Sequence, residues 1–174
     1  AYRNRRALGV DVARYGSNLT VIIGIENGKM VLRETAQGQD TQWTANRVIA
    51  LLRDHDYQVC AIDTVGVGGG VADRVSEWIG DVNIQWSILE FEGGGKPTTS
   101  EEERFVNRRA QAYWRLREMI QAKEVALLDE GDLFHQLSNM RFRDTQAGKI
   151  EIEGKDQMAK RGLSSPDEAD ALSM

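Results

Sequence analysis

Ala7-Leu8-Gly9-Val10-Asp11-Val12 is the stretch that decides how this chain is read: an apolar run of strand length that reaches a carboxylate. Such a run is a buried strand whose last side chain emerges at a sheet edge. Val59-Cys60-Ala61-Ile62-Asp63 repeats the pattern. A third acidic point, Asp167 with Asp170, lies in Ser165-Pro166-Asp167-Glu168-Ala169-Asp170-Ala171-Leu172, which reads as the first turn of a helix started by Pro166. An unpaired carboxylate is costly to bury, so three converging acidic points call for a strong compensating charge. A divalent metal supplies it, because hard cations such as Mg²⁺ prefer carboxylate oxygens.

Local signals order the rest of the chain around those points. Leu19–Ile25 and Lys29–Glu34 read as strands flanking Asn27-Gly28, the strongest short hairpin signal, and Gly16-Ser17-Asn18 joins them to Ala7–Val12. Three antiparallel strands therefore open the fold. Asp40 or Thr41 caps a helix to about Arg53, with Trp43, Val48, Leu51 and Leu52 as its apolar positions. Tyr57–Asp63 is the fourth strand. Gly66, Gly68, Gly69 and Gly70 lead into a helix near Val71–Ile79, and Val82–Leu89 makes a fifth strand. Beyond the Gly-rich loop Glu92–Thr99, Ser100 and Glu103 form a capping box for a long helix to Ala122. Its stripe is Phe105, Ala112, Leu116, Met119 and Ile120. Val125–Leu128 is extended, Asp132–Asn139 helical, and Met140–Phe142 with Lys149–Ile152 a small hairpin. The order predicts an α/β domain with a mixed sheet and helices on both faces.

With 174 residues, 41% hydrophobic and 28% charged, the composition is that of one ordinary globular domain with a full core. Cys60 is the single cysteine, so no internal disulfide forms; it reads as a core residue of a chain from a reducing compartment. No apolar stretch approaches the roughly 18 residues a membrane span needs. A net charge of −5 excludes a protein that is basic all over, while leaving room for local basic patches. Residues 1–6 read as a linker remnant and 7–174 as the domain, an expectation of a unit cut from a longer chain.

Four motifs in order sharpen this reading. Gly9-Val10-Asp11-Val12-Ala13-Arg14-Tyr15-Gly16, Ile62-Asp63-Thr64-Val65-Gly66-Val67-Gly68-Gly69-Gly70, Asn107-Arg108-Arg109-Ala110 and the Ser165–Leu172 segment together resemble the C-terminal nuclease domain of the large terminase subunit of tailed bacteriophages, within the ribonuclease H-like superfamily. The resemblance covers Ala7 to Met174. It implies a ribonuclease H-like mixed sheet, three antiparallel strands and then parallel ones. It also implies an endonuclease that cuts concatemeric double-stranded viral DNA during packaging, in the host cell cytoplasm. Its partners would be an ATPase motor domain in the same parent chain, a small terminase subunit and a portal. The chain departs from many relatives at Ser17-Asn18, where they carry a further acidic residue.

The candidate catalytic and metal residues are Asp11, Asp63, Asp167 and Asp170. Asp11 would be shared between two Mg²⁺ or Mn²⁺ ions, which sit about 3.5–4 Å apart in such sites. Asp170 is favoured as the essential ligand of the late pair; Asp167 is a ligand, a residue that supports a ligand, or simply a cap of the helix N-terminus. Glu168 is expected to face solvent. Candidate DNA contacts are Arg14, Asn107, Arg108 and Arg109, together with Lys155, Lys160 and Arg161 in a basic loop. The glycines after Asp63 are either a phosphate cradle or a tight strand-to-helix turn. Trp43, Trp78, Trp86 and Trp114 read as packing residues, and His55 and His135 have no visible partner. Rival readings are a Holliday-junction resolvase-like nuclease, an actin-like nucleotide-binding module, and a docking domain without catalysis.

Overall fold

The sheet is built by alternation. Strand β1 (Arg6–Asp11) pairs antiparallel with β2 (Thr20–Glu26), which pairs antiparallel with β3 (Lys29–Ala36). Helix α1 (Thr41–His55) crosses to β4 (Val59–Asp63), and α2 (Gly68–Val82) to β5 (Ser87–Phe91); both strands add in parallel, giving the order β3-β2-β1-β4-β5. The computed structural model describes residues 6–13, 18–82 and 86–174. Its mixed five-stranded sheet with helices on both faces is the architecture the sequence predicts.

Successive side chains of a strand point to opposite faces, so each strand feeds two cores. Leu8, Val10, Ile22, Cys60 and Ile62 pack with Val48, Leu51 and Leu52 of α1 and Val71, Ala72 and Val75 of α2. The other face carries Val21 and Ile23. They meet Tyr113 of α3 (Arg108–Gln121), Leu133 of α4 (Leu133–Asn139), and Ala169 and Ala171 of α6 (Asp167–Ser173). Between α4 and α6 lie the hairpin β6 (Phe142–Asp144) and β7 (Ile150–Ile152), and the short α5 (Lys155–Lys160). No helix among the described residues is long and apolar enough to cross a membrane.

Two glycines let helices approach the sheet. A Cβ at Gly9 would stand 2.0 Å from the Ala171 carbonyl oxygen, so α6 lies directly on β1. A Cβ at Gly68 would stand 1.7 Å from the Asp63 carbonyl oxygen, so α2 starts hard against the end of β4. That contact gives the tight-turn reading of the glycine tract its physical reason.

Several boundaries differ from expectation. Val82 completes α2 and β5 begins only at Ser87, while Trp86 packs on Trp78 at 5.6 Å between ring centroids. The long helix starts at Arg108 rather than Ser100, because Asn107 Oδ1 accepts from the Ala110 amide at 2.8 Å and caps it. Phe105, assigned to that helix's stripe, is instead fully buried in an extended bridge beside Ile150. Asp40 caps α1, accepting from the Trp43 amide at 2.7 Å.

Candidate active site

Parallel pairing aligns two of the carboxylates. Val10 and Ile62 are the last paired residues of β1 and β4, and Asp11 and Asp63 follow them at neighbouring strand ends. Because α6 rests on β1 at Gly9, its first turn brings Asp167 and Asp170 to the same edge. Lys155, the first residue of α5, ties the cluster together: its Nζ is 2.9 Å from Asp170 Oδ2, 3.7 Å from Asp11 Oδ2 and 3.9 Å from Asp167 Oδ1.

The four carboxylates are held differently. Asp63 Oδ1 accepts from the Val65 amide at 3.0 Å, and Asp167 Oδ2 accepts from the Leu19 amide at 3.0 Å. Asp170 Oδ1 accepts from Tyr113 Oη at 2.7 Å and Arg109 Nε at 3.2 Å. Each of these three has one oxygen bonded to the scaffold, and the second oxygen of Asp170 faces Lys155. The Asp11 carboxylate accepts no hydrogen bond among the described residues, and the residue is only 6% exposed.

The electrostatics follow from that arrangement. Burial pushes the Asp11 carboxyl up to about 7; Asp170, Asp167 and Asp63 push the same way, and Lys155 opposes them. Asp63 is also raised, by burial first, with the Val65 amide opposing. Burial works against the Lys155 charge, but Asp170, Asp11 and Asp167 outweigh it and hold the ammonium above its ordinary value. Two raised carboxyls, Asp11 and Asp63, at neighbouring strand ends are a mark of functional rather than architectural charge.

The donor set suits a hard divalent cation, being all carboxylate oxygen. Among the described residues no three acidic, histidine or cysteine side chains already close around a common point. Lys155 stands between them and supplies part of the charge such an ion would bring.

The predicted basic residues divide. Lys155 belongs to the acidic cluster, and Lys160 is exposed in the last turn of α5. Arg161 follows α5, pairing with Glu153 and donating to the Asn139 carbonyl at 3.3 Å. These three were expected in a loop; they lie instead on a helix and its cap, anchored by buried Met158. Arg108 is partly exposed on α3. Arg109 turns inward: Nε reaches Asp170 and Nη1 donates to the Glu153 carbonyl at 2.6 Å. The oxygen of Asn107 is engaged in capping α3. Arg14 lies outside the described residues.

Glu168 corrects the sequence reading. It is 2% exposed, not solvent-facing, because α6 is covered by the sheet on one side and by α3 and α4 on the other. Arg33 donates to it twice, at 3.0 and 2.7 Å, and the Asp132 amide once, at 3.2 Å. Tyr113 was missed as a site residue. Its spacing of four from Arg109 puts both on one helix face, the signal that could have found it.

No protein-family model matches the sequence, and no curated protein does. Among solved structures, the chain is similar to the nuclease domain of the large terminase subunit of the bacterial virus Sf6: TM-score 0.87, 20% identity, covering 100% of this chain and 88% of that one. A lysine-to-alanine variant of that domain, with manganese and beta-thujaplicinol, gives a TM-score of 0.87 at 18% identity over 100% and 88%. The large terminase nuclease of the thermophilic phage G20c with bound cobalt gives 0.69 at 18% identity over 97% and 78%. At such identity the likeness establishes the fold, which is that of terminase nuclease domains.

Proposed function

We propose that this domain is a divalent-metal-dependent endonuclease that hydrolyses double-stranded DNA and cuts concatemeric viral genomes during packaging. The observation that supports it is the convergence of three buried carboxylates, Asp11, Asp167 and Asp170, on one ammonium group, with Asp11 pushed up to about 7 and Asp63 at the neighbouring strand end.

Asp11, Asp63, Asp167 and Asp170 would hold Mg²⁺ or Mn²⁺, and Asp11, whose carboxylate accepts no hydrogen bond among the described residues, is suited to be shared by two ions. Such ions, when bound, activate a water molecule and stabilise the leaving oxygen of the cut strand. The chain's own residues do the rest. Asp63, Asp167 and Asp170 each present one oxygen, because the other is bonded to the scaffold. Lys155, half-exposed at the rim, offsets acidic charge that would otherwise repel a polyanion. Arg108 and Lys160 supply sequence-independent phosphate contacts. An ATPase motor in the same parent chain, a small terminase subunit and a portal would deliver the DNA in the host cytoplasm, raising its local concentration as tethered sites do.

Plasmid nicking with Mg²⁺, Mn²⁺ or EDTA tests the reading. Nicking is expected with either metal, none in EDTA, and none with Asp11→Asn or Asp63→Asn. Nicking that persists in EDTA, or wild-type rates in either variant, contradicts it.

A further inference from the structure

We propose that Tyr113 and Arg109 are positioning residues for Asp170, fixing its carboxylate so that Oδ2 alone faces the acidic cluster, and that this sets the cluster's affinity for a divalent cation. The inference deepens the metal-dependent reading and rests on it.

Both residues lie on the face of α3 that packs against α6, one helical turn apart. Their donors converge on one atom: Tyr113 Oη at 2.7 Å and Arg109 Nε at 3.2 Å from Asp170 Oδ1. The other oxygen, Oδ2, faces Lys155 at 2.9 Å. A carboxylate free to turn about its last torsion would exchange its two oxygens; two donors on one of them prevent the exchange. The donors are themselves fixed. The Arg109 guanidinium stacks 4.8 Å from the centre of the Tyr113 ring, and Nη1 is anchored on the Glu153 carbonyl at 2.6 Å. Arg109 Nη2 is buried with no partner among the described residues, so this fork is not arranged to satisfy every nitrogen.

Groups that orient a metal ligand through a hydrogen bond typically carry a 10–100-fold effect on affinity, roughly. Tyr113→Phe removes the 2.7 Å bond while keeping the ring under Arg109. Free Mn²⁺ measured by electron paramagnetic resonance during titration is the readout. We expect Tyr113→Phe to bind Mn²⁺ about tenfold more weakly than wild type. Its melting temperature in EDTA should stay close to wild type. The Mg²⁺ concentration for half-maximal nicking should rise in parallel, with the rate at saturating metal and the KM for plasmid unchanged. Arg109→Lys, which keeps the charge and loses the fork, should weaken binding in the same way and serves if Tyr113→Phe does not fold. Wild-type Mn²⁺ affinity in a folded variant overturns the positioning role. Absence of Mn²⁺ binding in wild type overturns the metal reading beneath it.

Discussion

Glu168 and Asp170 stand two residues apart on α6 and are almost equally buried, 2% and 8% exposed, yet one faces a closed ion pair and the other a cluster of carboxylates. Around Glu168 burial works to raise the carboxyl, and the Arg33 and Asp132 donors outweigh it, leaving it below its ordinary value. On the other side Asp170, held by Arg109, and Asp167 meet Asp11 and Asp63, and among the described residues Lys155 opposes the repulsion that helps push Asp11 up. One carboxylate is matched by a forked guanidinium and holds α6 to β3 and α4. Asp170 is met by Arg109 and Lys155, whereas Asp11 and Asp63, whose carboxyls are held up, leave demand for more positive charge. Buried charge with its partner is architecture; buried like charge without one is the signature of a site.

The largest effect expected from this contrast is on stability. Arg33→Ala strands Glu168 in the interior and should cost about 3–5 kcal/mol in urea unfolding, the range for breaking a buried pair. Adding Glu168→Gln should recover part of that loss. Asp11→Asn should leave metal-free stability unchanged or raise it, since it removes like-charge repulsion. Equal losses in Arg33→Ala and Asp11→Asn would erase the distinction between the two sides of α6.

A second test uses pH in metal-free buffer. Folded Asp11 keeps its proton to about 7, whereas the ordinary carboxyl value is 3.8. The native state therefore binds more protons than the unfolded chain in that interval. The stability Asp11 contributes is present below 3.8 and is lost as pH rises through 7. Asp63 acts in the same direction; Glu168 acts oppositely, its contribution being lost on acidification. Taking the difference between Asp11→Asn and wild type isolates Asp11. That difference should move in favour of the variant as pH rises from about 4 to 8, and a flat difference would remove Asp11 from the strained cluster.

Much of this contrast was legible in the sequence, and where it was not the reason is tertiary. Asp11 and Asp63 end apolar runs, and the Asn27-Gly28 turn has the positive φ values, 51° and 78°, that its residues favour. Local rules suffice there. They fail at Ser100, where the capping box is locally plausible but burial of Phe105 draws the chain into an extended path, and Asn107 takes the cap. They fail at Glu168 because its partner Arg33 lies 135 residues away. Arg109 reads as an exposed base beside Arg108, and only the docking of α3 on α6 turns it inward.

The smallest effect should come from the exposed bases. Arg108→Ala and Lys160→Ala should each reduce the slope of log binding constant against log salt by about 0.9 on duplex DNA, whatever its sequence. A change confined to one DNA sequence would replace backbone contact by base reading.

The most direct measurement is the melting temperature of wild type, Asp11→Asn and Glu168→Gln across an Mn²⁺ series. A cation that binds only the folded chain stabilises it in proportion to RT ln(1 + [Mn²⁺]/Kd). Melting temperature should climb with Mn²⁺ in wild type and in Glu168→Gln, and stay flat in Asp11→Asn. An equal climb in Asp11→Asn would contradict the assignment of the acidic cluster as the metal site.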